Sequence, residues 1–167
     1  IYNTNGYDST ELLTLLDGMV DIYLPDLKYW NSSYGNIYSD APDYPRTAGK
    51  AVREMYRQVG NLRTDSAGIA ERGLIIRLLV LPDGISGTGE VLRFIADELG
   101  NDTYISLMSQ YYPAFNARSI PELARKLRPE EYAEAAAILE ELGFENGWVQ
   151  DPLTSPDSYR PGIDFTL

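Results

Sequence analysis

Cysteine and histidine are both absent from the 167 residues. Without cysteine the chain offers no disulfide, no thiolate nucleophile and no thiolate ligand for zinc or an iron–sulfur cluster. Without histidine it lacks the commonest general acid–base group and the commonest metal ligand. Serine–histidine, cysteine–histidine and histidine–zinc chemistry are therefore closed to these residues. Basic residues are also scarce, 14 against 25 acidic ones for a net charge of −11. Such a chain repels a phosphate backbone, which argues against nucleic acid as a partner. Long apolar runs are missing too. The most apolar stretch, residues 74–82, is interrupted by Arg77 and falls far short of the roughly 20 residues that span a bilayer. No stretch has the layout of a signal peptide, so the expectation is a soluble, cytoplasmic chain without a membrane partner.

What is present fits one globular domain: 44% hydrophobic and 23% charged residues over a domain-sized length. Apolar strands alternate with amphipathic helices. Asp8-Ser9-Thr10-Glu11 has capping-box spacing ahead of Leu12, Leu13 and Leu16, and Gly18 supplies a stop. Residues 20–27 read as a short strand. Pro45 opens a helix with Ala48, Val52, Met55, Tyr56 and Val59 on one face, closed by Gly60. Residues 73–81 form a nearly unbroken apolar strand of the kind covered on both faces. Thr88 caps a helix carrying Val91, Leu92, Ile95 and Leu99, ended by Gly100, and residues 103–108 are the next strand. Ser119-Ile120-Pro121-Glu122 again has capping-box spacing, and Pro129 opens a helix running to about Leu142. From Phe144 the chain is rich in Pro, Asp and Ser, with Trp148, Phe165 and Leu167 as candidate anchors.

Strand–helix–strand alternation predicts an α/β fold with a parallel sheet and helices on its outer face. The sheet is either open and doubly wound or part of a (β/α) barrel. In both architectures ligands bind at the carboxyl ends of the strands. Those ends are Asn3-Thr4-Asn5-Gly6, Pro25-Asp26-Leu27-Lys28, residues 82–89 and Ser109-Gln110-Tyr111-Tyr112. Asp26 and Lys28 stand two apart, hence on one side of an extended strand, as a structural ion pair or as a holder for a zwitterionic ligand. Arg77 inside an apolar strand must be paired, with a carboxylate such as Asp26 or with an anionic ligand. Gly84, Gly87 and Gly89 read as a flexible loop ending at Thr88, since the full phosphate-loop pattern is absent. Residues 29–44 form a long loop bearing Tyr29, Trp30, Tyr34, Tyr38 and Tyr44. These rings either bind a polypeptide, sugar or base, or pack on one another.

Taken in order, Asn3-Thr4-Asn5-Gly6, Asp21-Ile22-Tyr23-Leu24-Pro25-Asp26-Leu27-Lys28, Ile76-Arg77-Leu78-Leu79-Val80-Leu81-Pro82 and residues 105–113 resemble radical S-adenosylmethionine proteins related to the activating enzyme of pyruvate formate-lyase. Residues 38–45 and 54–60 resemble a poorly characterised subgroup of that family. The likeness covers residues 1–147, leaving residues 148–167 as a turn-rich tail. It implies the carboxyl-terminal half of a partial (β/α) barrel. It also implies S-adenosylmethionine bound beside a four-iron, four-sulfur cluster and cleaved reductively to a 5′-deoxyadenosyl radical, with a partner protein's glycine as one class of substrate. By motif position, Asn3, Thr4, Asp26 and Lys28 would lie near the amino acid part of S-adenosylmethionine. Arg77 would line the cleft, and Gln110 or Tyr111 would edge the adenosine end.

The family's three-cysteine cluster loop and glycine-rich S-adenosylmethionine motif are not in the chain, nor are the acidic residue often found at the position of Asn3 and the histidine near Tyr111. The chain is therefore expected to be a fragment, inactive alone, with cluster ligands elsewhere and no metal ligand or catalytic residue of its own. Two other readings stand beside it. One is a glycosidase-like or sugar-binding barrel using Asp26, with Asp83 as the candidate second carboxylate. The other is a non-catalytic interaction module.

Overall fold

A computed structural model describes residues 1–150. Phe165 and Leu167, the distal candidate anchors, lie outside the described residues. The sheet is built from β1 (Tyr2–Thr4), β2 (Ile22–Pro25), β4 (Ala70–Leu79), β5 (Tyr104–Met108) and β6 (Gly147–Val149), all parallel and in that spatial order. A two-residue strand, β3 (Arg63–Thr64), pairs antiparallel with the first residues of β4. The helices are α1 (Thr10–Leu15), α2 (Ser32–Ser39), α3 (Tyr44–Val59), α4 (Thr88–Glu98) and α5 (Pro129–Glu141). The parallel pairing of β2 with β4 and the α/β class agree with the sequence expectation. No helix among the described residues is long and apolar enough to cross a membrane.

Spatial order follows chain order without reversal, so right-handed crossovers place the connecting helices on one face. Alternation along β4 shows which face that is. Leu74, Ile76, Leu78 and Val80 are buried in one core with Ala48, Val52 and Met55 of α3, Val91 and Ile95 of α4, and Ala135 and Leu139 of α5. Ile75, Arg77 and Leu79 point the other way and are only half-buried. The expectation of a strand covered on both faces is therefore corrected. Helices cover one face of β4, and the described residues leave the other partly open.

Several local expectations also shift. The cap of α1 is Ser9, whose side chain accepts from the Leu12 amide at 3.1 Å, while Asp8 accepts hydrogen bonds from Tyr2 and Thr4. Gly87, with φ of +60°, stands before α4, and the Thr88 hydroxyl meets Ser86 at 2.9 Å instead of capping. No α-helix begins at Ser119. Its hydroxyl donates to the Asn116 carbonyl and closes a 3₁₀ turn (Phe115–Ser119). Residues 29–44 are not a plain loop, because Asn31 accepts from the Ser33 amide and starts α2. Trp148 lies in β6 and is about half exposed rather than a buried anchor.

Candidate functional site

Parallel pairing puts residues in register on the same side of the sheet. Asn3 is opposite Leu24, and Asp26 bridges to Arg77. The polar side chains of three strand ends therefore meet on the face away from the helices. Arg77 Nε and Nη2 each lie 2.6 Å from Oδ1 of Asp26. Nη2 also donates to Oδ1 of Asn3 at 2.9 Å. Lys28 Nζ lies 3.2 Å from the other carboxylate oxygen of Asp26. Two cations thus flank one carboxylate, leaving one formal positive charge in excess.

Beside this cluster is a cleft of about 420 Å³ lined by Asp26, Leu27, Lys28, Tyr29, Arg77, Leu79, Leu81, Met108 and Gln110. It has two chemically distinct ends. One is the Asp26–Lys28–Arg77 cluster. The other is apolar, built from Leu79, Leu81 and Met108, with Gln110 Nε2 3.6 Å from the Met108 sulfur. Leu79 lies two residues beyond Arg77 and so shares its side of β4, and Met108 is Leu79's register partner on β5.

Of the seven residues singled out from the sequence, Asp26, Lys28, Arg77 and Gln110 line the cleft, and Asn3 is bound to Arg77 at its edge. Thr4 and Tyr111 go elsewhere. Thr4 is on the opposite side of β1 from Asn3, with its hydroxyl 2.5 Å from Asp8 and accepting from the Gly6 amide. The Tyr111 ring is buried and its hydroxyl donates to the Leu123 carbonyl at 2.8 Å. Burial raises its phenol above the ordinary value. Asp83 does not line the cleft. Its carboxylate is 2.6 Å from Arg125, which also holds Glu131.

The tyrosines of the aromatic segment pack mainly on one another, while Trp30 packs on Phe94 of α4, with ring centroids 4.6 Å apart. Tyr29 lines the cleft and contacts Tyr38 and Tyr44, with ring centroids 6.3 and 5.6 Å apart, and Tyr34 stacks on Tyr38 at 5.8 Å. Leu27, Leu79, Leu81 and Met108 are not singled out by the sequence, which names Tyr29 only among the rings that either bind a ligand or pack on one another. Alternation from Arg77 signals Leu79. The register that brings Met108 beside it is not encoded locally. Among the described residues no group of three or more carboxylates is placed to hold a metal ion.

The chain is 28% identical over 146 residues to an uncharacterized protein of Methanocaldococcus jannaschii, a match covering 87% of this chain and 39% of that protein. The chain thus spans about two fifths of that relative's length. No family model matches the chain, and no solved structure matches it.

Proposed function

We propose that the chain is the carboxyl-terminal part of a (β/α) barrel that binds S-adenosylmethionine in a radical enzyme related to the activating enzyme of pyruvate formate-lyase. The observation that carries this reading is the cleft itself. It lies at the carboxyl ends of consecutive parallel strands, charged at one end and apolar at the other. The unreversed strand order supports a barrel segment over a doubly wound sheet, whose order reverses where its ligand binds.

The donor set fits S-adenosylmethionine. Lys28 and Arg77 would receive its carboxylate, since they carry one more charge than Asp26 neutralises. Asp26 would face its ammonium. Leu79, Leu81 and Met108 would cover the adenosine, with Gln110 as a hydrogen-bonding edge. Bound S-adenosylmethionine supplies the radical chemistry, so the residues here orient a ligand and exclude water. That role needs no titrating histidine. The iron–sulfur cluster does not fit these residues, which contain no cysteine. Its ligands would belong to a part of the enzyme outside them.

Lys28, Lys50 and Lys126 are the chain's three lysines, so a sample labelled with ¹⁵N only at lysine gives three backbone amide signals. Titration with S-adenosylmethionine should move the Lys28 signal saturably and leave Lys50, within α3, in place. A Lys28 signal that stays fixed up to millimolar ligand would sink the reading.

A further inference from the structure

Lys28 stands beyond the reach of the sheet. On the β1 side the ladder ends where the Asp26 amide donates to the Thr4 carbonyl at 2.9 Å. On the β4 side it ends where the Leu27 amide donates to the Arg77 carbonyl at 3.0 Å. The next donor, the Lys28 amide, has no strand opposite it. It donates instead to the phenol oxygen of Tyr44, at 3.0 Å. The same phenol lies 2.8 Å from the Asn5 carbonyl and 3.0 Å from the Asp26 carbonyl, and shares its single proton between them.

Tyr44 comes from the first turn of α3, far along the chain from the groups it joins. Its ring is 2% exposed, stacked on Tyr7 at 5.9 Å and met edge-on by Tyr29 at 5.6 Å. The Tyr7 hydroxyl is in turn bound to Asp43, the residue before α3. The seam is tight from the other side as well. Gly6 has φ of +78°, and a Cβ there would lie 2.6 Å from the Asp26 carbonyl oxygen and 3.4 Å from the Tyr44 hydroxyl. One buried phenol therefore joins the turn after β1 to both charged residues of the β2 end.

We infer that Tyr44 is a positioning residue, whose hydroxyl sets the Asp26–Lys28 arm of the cleft in place for its ligand. The ligand part of this inference rests on the S-adenosylmethionine reading above. The placement of Lys28 does not. Burial raises the Tyr44 phenol well above its ordinary value, so it stays protonated and serves as a neutral donor and acceptor, taking no part as an acid or base.

The test uses Tyr44→Phe in the whole 167-residue chain, which keeps the ring and removes the hydroxyl. Tyr23→Phe is the control. Tyr23 is equally buried but its hydroxyl donates to Gln58 at 2.6 Å, near the amino end of β2. In lysine-labelled samples, Tyr44→Phe should speed hydrogen exchange at the Lys28 amide at least tenfold more than at Lys50, which reports loosening of α3 as a whole. It should also weaken S-adenosylmethionine binding about tenfold, whereas Tyr23→Phe lowers stability and leaves affinity unchanged. Equal acceleration at Lys28 and Lys50 would reduce Tyr44 to core packing and overturn the inference. So would a selective effect at Lys28 with unaltered affinity. A Tyr44→Phe chain that does not fold would make the phenol a folding requirement, and it too would overturn the inference. Selective exposure of Lys28 in a chain whose parent takes no S-adenosylmethionine would instead overturn the ligand reading and leave the placement of Lys28 by Tyr44 standing.

Discussion

At the scale of single residues, Lys28 and Arg77 share one carboxylate but differ in surroundings. The Lys28 side chain is 40% exposed and that of Arg77 27%. Solvent screens the lysine more, so its work is expected in binding rather than in stability. If the cleft takes S-adenosylmethionine as proposed, Lys28→Ala should weaken that binding by roughly 1.5–3 kcal/mol, towards the lower figure because of that exposure. Titration calorimetry on chain and variant checks this. Arg77→Met should instead lower stability by about 1–2 kcal/mol in urea unfolding, since it strips Asp26 of its closest partner in a half-buried place. Both cations were legible in the sequence, Lys28 from its two-residue spacing to Asp26 and Arg77 as one charge in an apolar strand. Thr4 fails for a reason alternation itself contains. Adjacent residues of a strand point to opposite faces, so Asn3 and Thr4 cannot both serve one cleft. Tyr111 lies beyond the end of β5, where alternation no longer governs direction.

Among the elements, those with strong periodicity or a proline start stand close to where the sequence puts them. These are α3 after Asp43, α5 at Pro129, and β4 and β5. The elements missed are short or polar. β6 is three residues with a glycine first, and α2 is made largely of Ser, Tyr, Gly and Asn, with little propensity to signal it. Their formation depends on tertiary neighbours, namely β5 for β6, and for α2 the Tyr29 ring against Tyr38 and the Tyr44 Cβ close beside Gly35. Gly73 shows how tightly such neighbours approach. Its φ is +137°, and a Cβ there would lie 2.4 Å from Leu62 Cα, where the segment before β3 crosses β4. Gly68, in the turn leading to β4, also has positive φ, +79°, but open space around it. Gly73→Ala should therefore cost about 1–3 kcal/mol more than Gly68→Ala in urea unfolding, because the collision, and a φ farther from the left-handed helical region, add to the cost of a positive φ that both sites carry. Equal costs would show that the crossing segment yields freely.

For the molecule as a whole, two ion clusters tie separate parts together. Arg57 joins Glu54 of α3 to Asp17 beyond α1, and Arg125 joins Glu131 of α5 to Asp83 in the loop after β4. Hydrogen bonds from Arg57 hold Glu54, and those from Arg125 hold Glu131, each at about 2 against an ordinary value of 4.5. Between these values the unfolded chain binds protons that the folded chain does not, so stability rises with pH through this window. Each contribution is complete above about pH 4.5 and is lost as the pH falls towards 2. Glu131→Gln should flatten that acid limb of the urea midpoint measured from pH 2 to 7, and an unaltered limb would show that Arg125 contributes nothing there. The order of strands carries a different consequence. Each parallel strand after β1 lies beside the one made before it, and β3 folds onto the β4 that directly follows it. On the ribosome, every parallel strand after β1 would emerge next to a partner already synthesised, and β3 would wait only for the strand that directly follows it. The sheet can grow in the direction of translation, one βα unit at a time, without waiting for the far end of the chain.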